Sequence, residues 1–212
     1  MSEAAEYFAA RFTFDPQRAG VWRELTRFIA RDIADSSTVL ELGCGYGDFI
    51  NAVAANRKIA VDVHAAVREH LAPGVEFICG DCAKLGFIER GAVTTVFASN
   101  LLEHIAREQL PALLAEIRRV LRPGGRLLLL QPNYRLCPAR YFDDYTHVTV
   151  FSDVGLCGFL KSEGFSIRKC VPGLLPFSMQ SRLPKHPLLV RLYLNSPIRP
   201  GAGQMYVVAE KA

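Results

Sequence analysis

Residues 39–47 read Val-Leu-Glu-Leu-Gly-Cys-Gly-Tyr-Gly, a short apolar strand that runs directly into three glycines spaced by two. Glycine has no Cβ and reaches positive φ without strain, so Gly43, Gly45 and Gly47 allow a sharp turn against which a ligand can lie. Glu41 interrupts the apolar strand, and its burial would require hydrogen bonds to the carboxylate. A pyrophosphate-binding turn reads Gly-x-Gly-x-x-Gly, so the third glycine here falls one residue early. The segment therefore predicts a ligand-binding turn of another kind.

Three later apolar runs also end in polar residues. Lys58–Asp62 ends in an acid about 20 residues after the glycines, where a carboxylate can accept hydrogen bonds from both ribose hydroxyls of a nucleotide. Val75–Asp81 ends in a second acid, which suits an adenine amino group, and Val93–Asn100 ends in an amide. Open α/β sheets bind ligands at the carboxyl ends of their strands. The four runs therefore predict one ligand site at that edge of a parallel sheet. Its ligand is expected to be a cofactor that contains a nucleoside.

Five segments together resemble the class I S-adenosylmethionine (SAM)-dependent methyltransferases, in the branch of small-molecule and ubiquinone-biosynthesis enzymes. The segments are residues 39–48, 61–63, 79–82, 99–105 and 121–127. The resemblance covers most of the chain. It implies a doubly wound, mostly parallel seven-stranded α/β sheet of the Rossmann-like type with an antiparallel last strand, which agrees with the alternation of helix and strand patterns up to Leu130.

The resemblance also implies which residues contact SAM. Glu41 and the turn with Gly43, Gly45 and Gly47 would line its methionine part, and Asp62 with Val63 would hold the ribose. Asp81 and Cys82 would frame adenine, while Ser99 and Asn100 would face the sulfonium and the acceptor. These positions form the predicted cofactor site.

The segment from Tyr141 to His147 gathers two carboxylates, two phenols and an imidazole after the fifth strand. It is similar to the Asp-x-Thr-His segment of small-molecule and cell-surface-glycan methyltransferases. Histidine titrates near neutrality, so His147 is the candidate general base, Asp144 could orient it, and Asn100 completes the predicted catalytic set. A hydrogen-bonded loop histidine is the alternative. His104, at a helix start, is expected to be structural.

Six cysteines lie mostly inside or beside apolar runs, which favours reduced thiols in a cytoplasmic protein over a disulfide framework. Cys79 and Cys82 have metal-ligand spacing, but no second pair supports a zinc site. We therefore predict no metal site. No run reaches the roughly 18 apolar residues of a membrane span, and the first residues have no signal-peptide pattern.

The chain is predicted to form one domain over residues 1–212, with an N-terminal helical cap at about 1–36. Asp15 and Pro16 would begin its helix, and Tyr7, Phe8, Phe12 and Phe14 could form an apolar lid.

An insert at about 172–203 carries six prolines before the last strand. The net charge is +4, and residues 161–212 hold eight basic against two acidic side chains. The insert, with Arg182 among its basic residues, could rim an acidic pocket, rest on a membrane surface or pack as a surface helix.

These observations predict a SAM-dependent methyltransferase that acts on a hydroxyl of a small molecule, lipid-like precursor or glycan. A nucleic-acid substrate is disfavoured, because Asn100 is followed by Leu101-Leu102-Glu103 rather than by a Pro-Pro-aromatic sequence that would stack an extruded base. Two alternatives stay open. One is a nicotinamide-dependent oxidoreductase on the same sheet, and the other is a SAM-binding regulatory module without turnover. The oligomeric state is not predicted.

Overall fold

The computed structural model describes residues 17–33, 37–177 and 185–212. The predicted start of the cap helix at Asp15, the apolar lid residues before it, and Arg182 lie outside these ranges. Within them, helix α1 spans Arg18–Ile29 and is followed by a 3-10 turn at Ala30–Asp32. The helices of the described residues reach at most 12 residues, which is too short to cross a bilayer.

The described residues form one seven-stranded sheet in the order β3-β2-β1-β4-β5-β7-β6. Its strands are β1 (Thr38–Leu42), β2 (Arg57–Asp62), β3 (Val75–Cys79), β4 (Val93–Ser99), β5 (Leu121–Pro132), β6 (Phe165–Pro176) and β7 (Ala202–Lys211). Strands β1 to β5 pair in parallel, and β7 runs antiparallel to both β5 and β6. The predicted doubly wound sheet with an antiparallel last strand is confirmed.

Both faces of the sheet are covered, because side chains along a strand alternate between its two faces. In β5, Leu127 and Leu129 point into one apolar cluster and Leu128 and Leu130 into the other. Helices α3 (Leu110–Val120) and α4 (Asp153–Ser162) contribute to the first cluster. Helices α1, α2 (Asp48–Ala52) and α5 (Pro187–Asn195) contribute to the second. The described residues therefore form three layers.

The connections between the parallel strands are less helical than the sequence patterns indicate. Helix α2 has five residues, and the segment after β2 forms a 3-10 helix at Ala65–His70. Helix α3 ends at Val120, one residue before its predicted end, and β5 starts at once. The predicted turn at Pro123–Gly125 lies inside that strand, opposite a register shift between Val93 and Thr95.

The insert predicted at 172–203 is smaller than expected. Strand β6 continues to Pro176, five residues beyond its predicted end at Val171, and β7 begins at Ala202. This extension tolerates Pro172 and Pro176 because β6 is an edge strand, where a missing N–H does not break an interior ladder. The separate insert is therefore reduced to the region around α5.

Helix α5 packs on α1 through its buried side chains Val190 and Leu194. Leu188, Leu189 and Leu192 remain exposed on the outer face. The packed surface helix that the sequence offered as one alternative is thus present. Membrane contact through this region stays a prediction.

Candidate active site

The strand order reverses between β1 and β4, so the crevice at their carboxyl ends is the switch point where open α/β sheets bind ligands. Gly43, Gly45 and Gly47 follow β1 and have φ of 66°, 49° and 69°. A Cβ on Gly47 would overlap the Leu71 side chain and lie 3.2 Å from Asn51 Nδ2. The turn therefore depends on glycine for its backbone conformation and for its close packing.

Glu41 is buried on β1 and holds this turn in place. Its Oε2 accepts a hydrogen bond of 3.0 Å from the backbone N–H of Ile50, in the first turn of α2. The first N–H groups of a helix have no intrahelical acceptor, so the carboxylate satisfies one of them. Burial raises the pKa of Glu41 well above its usual range. Contact with the methionine part of SAM stays a prediction for Glu41.

Asp62, the last residue of β2, joins the turn to the neighbouring strand. Its Oδ2 accepts from the Gly45 N–H and its Oδ1 from the His64 N–H, each at 2.9 Å. Each carboxylate oxygen has a second lone pair that can accept from a hydroxyl. Val63 beside it is 59% exposed and offers an apolar surface. The pair therefore has the chemistry predicted for the ribose side of the cofactor.

Asp81 and Cys82 follow β3, the outermost parallel strand. Asp81 Oδ1 accepts from the Ala83 N–H at 2.9 Å, and its Oδ2 lies 3.7 Å from Lys84 Nζ. The Asp81 side chain is half exposed. Cys82 is buried, and this burial raises the pKa of its thiol to about 12. Cys82 is thus a neutral apolar side chain, and a role for both residues at adenine stays a prediction.

Asn100, immediately after β4, has a φ of 49°, a positive value that among the described residues is otherwise confined to glycine. Its N–H donates to Leu130 O at 2.8 Å, its Nδ2 lies 3.4 Å from Ser99 Oγ, and its Oδ1 accepts from Gln204 Nε2 at 3.3 Å. A left-handed non-glycine residue at a ligand-binding edge is a strained conformation that its surroundings impose. Gln204 was not predicted from the sequence.

Glu103 is a functional candidate that the sequence analysis missed. It is fully buried, and neither carboxylate oxygen has a hydrogen-bond partner. Burial raises its pKa to about 8. Its Oε1 lies 3.9 Å from His147 Nε2 and 4.0 Å from His104 Nε2. The structure therefore unites His104 and His147, 43 positions apart, around a carboxylate without donors.

Hydrogen bonds fix the tautomers of both imidazoles. His147 Nδ1 lies 2.6 Å from Tyr141 O, which only accepts, so Nδ1 carries the proton. Thr146 Oγ1 donates to Asp144 Oδ1 at 2.6 Å, so the same oxygen accepts from His104 Nδ1 at 2.9 Å. Asp144 thus acts on His104 through Thr146. Its predicted role in orienting His147 stays a prediction.

Backbone hydrogen bonds hold the two segments of this cluster together. The N–H groups of Val148 and Thr149 donate to Glu103 O at 2.9 and 3.0 Å. Thr149 Oγ1 donates to Ile105 O at 2.6 Å. Glu103 and His104 are neighbours in the sequence. The bonds between the two loops bring His147 close to both residues, and no sequence pattern indicates these bonds.

Comparison with known proteins agrees with the sheet and the glycine turn. Residues 39–125 match a family described as "Methyltransferase domain". An uncharacterized 37.1 kDa protein in transposon TN4556 of Streptomyces fradiae is 35% identical over 117 residues, which are 50% of this chain and 33% of that protein. A phthiotriol/phenolphthiotriol dimycocerosates methyltransferase of Mycobacterium ulcerans is 36% identical over 101 residues, 42% of this chain and 35% of that protein. The chain spans about a third of the length of these two relatives.

A solved structure extends the likeness beyond the matched segment. The SAM dependent methyltransferase from Archaeoglobus fulgidus superposes with a TM-score of 0.66 at 20% identity, over 92% of this chain and 94% of that one. At this identity the superposition concerns the fold. It includes the sheet region that follows residue 125.

Proposed function

We propose that the chain is a class I SAM-dependent methyltransferase, which the match of residues 39–125 to a methyltransferase domain supports, and that it methylates a hydroxyl oxygen of a small molecule, lipid-like precursor or glycan. One observation carries the choice of a hydroxyl. The cluster of Glu103, His104 and His147 follows β4 and β5, at the same edge of the sheet as the glycine turn. A hydroxyl must lose a proton on methylation, and this cluster directs proton-accepting atoms to one place.

The cofactor residues are proposed from their geometry. The turn from Gly43 to Gly47, supported by Glu41, gives a backbone surface for the methionine part. Asp62 keeps lone pairs for two ribose hydroxyls. Asp81 and Cys82 would frame adenine, Val63 would lie at the ribose beside Asp62, and Ser99 would face the sulfonium. These side chains fit a nucleoside with a positively charged tail, since the glycines leave space and the carboxylates supply acceptors.

When bound, SAM supplies the methyl group, whose bond to sulfur breaks as its bond to oxygen forms. The task of the chain is to align the acceptor oxygen with the methyl group and to remove the hydroxyl proton. We propose that His147 Nε2 accepts the hydroxyl proton. Because Nδ1 donates to Tyr141 O, the lone pair of the ring lies on Nε2. Asn100 would position the acceptor, and Asp144 would stiffen the segment.

The surface around His147 favours an acceptor with apolar parts. Phe142, Tyr145 and Val148 on the same segment are 56%, 77% and 62% exposed. Exposed aromatic and apolar side chains of this extent often mark a binding surface. This supports a lipid-like or aromatic alcohol over a small polar acceptor.

The proposal includes a cytoplasmic location, which rests on the six unpaired cysteines.

We expect hydroxyl acceptors to be the productive class. The purified chain is incubated with SAM and a panel of primary alcohols, phenols and glycosides, each beside an amine of the same skeleton, and S-adenosylhomocysteine is quantified by mass spectrometry. Release should be faster with the hydroxyl acceptors than with the matched amines, since the hydroxyl gains from a proton acceptor in the transition state and a neutral amine does not. Faster turnover of the amines would refute the choice of oxygen.

A further inference from the structure

We propose that Glu103, His104 and His147 bind a divalent transition-metal ion. One donor atom from each residue lies within 4.8 Å of the others. The carboxylate of Glu103 is fully buried without a hydrogen-bond donor on either oxygen, which is costly for a group of this kind unless a cation balances it. The three side chains come from two loops that backbone hydrogen bonds join.

The directions of the lone pairs support a cation. His104 and His147 each direct Nδ1–H to an oxygen acceptor, so Nε2 is the ring nitrogen that carries the lone pair, and it lies 4.0 Å from Glu103 Oε1 in His104 and 3.9 Å in His147. Metal-binding histidines commonly donate the other ring N–H in this way, which fixes the ring and raises its basicity as a ligand. Nε2 and Oε1 are also too far apart, at 3.9 and 4.0 Å, for a direct hydrogen bond. A positive ion at this point would balance the Glu103 carboxylate, whose oxygens have no hydrogen-bond partner.

The donor set indicates the kind of ion. Two imidazoles and one carboxylate form the ligand set of catalytic zinc sites with an open fourth position, whereas Mg²⁺ prefers oxygen ligands alone. Zinc bonds of about 2.1 Å place tetrahedral donors roughly 3.4 Å apart, so each donor would move inward by about half an ångström. The His104 side chain is 24% exposed, which gives a route from solvent.

The role of the ion, unlike its binding, rests on the proposed function. When bound, the cation lowers the pKa of an acceptor hydroxyl at its open position. With the ion present, His147 would hold it through Nε2 and the hydroxyl proton would leave to solvent, whereas in the metal-free chain Nε2 is itself the proton acceptor. This refines how the cluster removes the proton.

Metal binding can be measured without turnover. The chain is dialysed against EDTA and titrated separately with Zn²⁺, Co²⁺ and Mg²⁺ by calorimetry, with the visible absorption of Co²⁺ as a report on its ligands. The test variants are Glu103→Gln and His147→Asn. The matched control replaces the exposed Cys79 by serine, because Cys79 and Cys82 form the other zinc-like spacing in the chain.

We expect the wild type and the cysteine control to bind about one Zn²⁺ per chain, Mg²⁺ to bind far more weakly, and each test variant to lose at least about 100-fold in Zn²⁺ affinity. The metal-free Glu103→Gln variant should melt no lower than the wild type, since glutamine keeps the size of the side chain and no hydrogen bond of the carboxyl group is lost. The inference fails if neither Zn²⁺ nor Co²⁺ binds the wild type, if the cysteine control alone loses binding, or if metal-free Glu103→Gln melts lower. Because no step uses SAM, failure here leaves methyl transfer untouched, and absence of methyl transfer leaves the ion site untouched.

Discussion

Replacing Asp62 by alanine is expected to weaken SAM binding by at least about 100-fold. The carboxylate is the predicted acceptor for two ribose hydroxyls, and hydrogen bonds to a charged group contribute about 1.5–3 kcal/mol each, with tenfold in affinity for every 1.4 kcal/mol. The substitution also removes the acceptor of the Gly45 N–H, which holds the glycine turn against β2. Isothermal titration calorimetry of the folded variant measures the loss.

Asp32→Ala provides the matched control for this loss. Asp32 is also a mostly buried acid, whose Oδ2 accepts from Lys169 Nζ and the Tyr206 hydroxyl. Its backbone carbonyl accepts from Arg126, near the start of the regular β4–β5 pairing and away from the ligand edge. This variant should lose stability but keep its SAM affinity. An Asp62→Ala protein that folds and binds SAM within about threefold of the wild type would remove Asp62 from the cofactor site.

His147→Asn is expected to lower kcat by about 10²- to 10⁴-fold while SAM affinity stays within about twofold, the range that removal of a proton-transfer group produces. The asparagine amide can still donate to Tyr141 O in place of Nδ1, so the loop keeps the bond that holds it. The Nε2 atom that faces Glu103 is lost. Steady-state rates with a hydroxyl acceptor, together with calorimetry for SAM, measure the two effects separately.

The control for His147 is His186→Asn. His186 is exposed before α5 and takes no part in the cluster. This variant should turn over like the wild type. Equal rates for His147→Asn and the wild type would assign His147 to the alternative of a loop histidine that only stabilises the wall of the site.

The parts of this site that the sequence predicted are local. The strand before Gly43 and the acid at the end of β2 are each read within a few residues, because parallel strands carry their ligand-binding groups at fixed positions along the chain. The structure adds that Glu41 and Asp62 accept backbone N–H groups. An acidic residue in an apolar strand predicts that its carboxylate has hydrogen-bond donors, but the sequence does not identify these donors.

The cluster around Glu103 was beyond the sequence for a different reason. Its geometry depends on how the segment after β4 and the segment after β5 pair with each other, through two backbone bonds to Glu103 O and the bond from Thr149 Oγ1 to Ile105 O. The strained conformation of Asn100 is likewise imposed from outside, by Leu130 and Gln204. Long-range contacts of irregular loops have no periodicity that a sequence pattern could reveal.

The extent of β6 shows the same limit at the edge of the sheet. Pro172, Gly173 and Pro176 indicate a loop by composition, yet the chain continues in the strand and buries Leu174. Only the position of β6 as the last strand makes these prolines tolerable, and strand order is a property of the assembled sheet.

The central claim, that the site at the carboxyl ends of β1 to β4 takes SAM, is tested most directly by calorimetric titration of the purified chain with SAM, S-adenosylhomocysteine and NAD. We expect saturable binding of SAM and S-adenosylhomocysteine and none of NAD, because the early third glycine does not form a pyrophosphate turn. Selective binding of NAD, or no binding of the SAM pair, would contradict the claim.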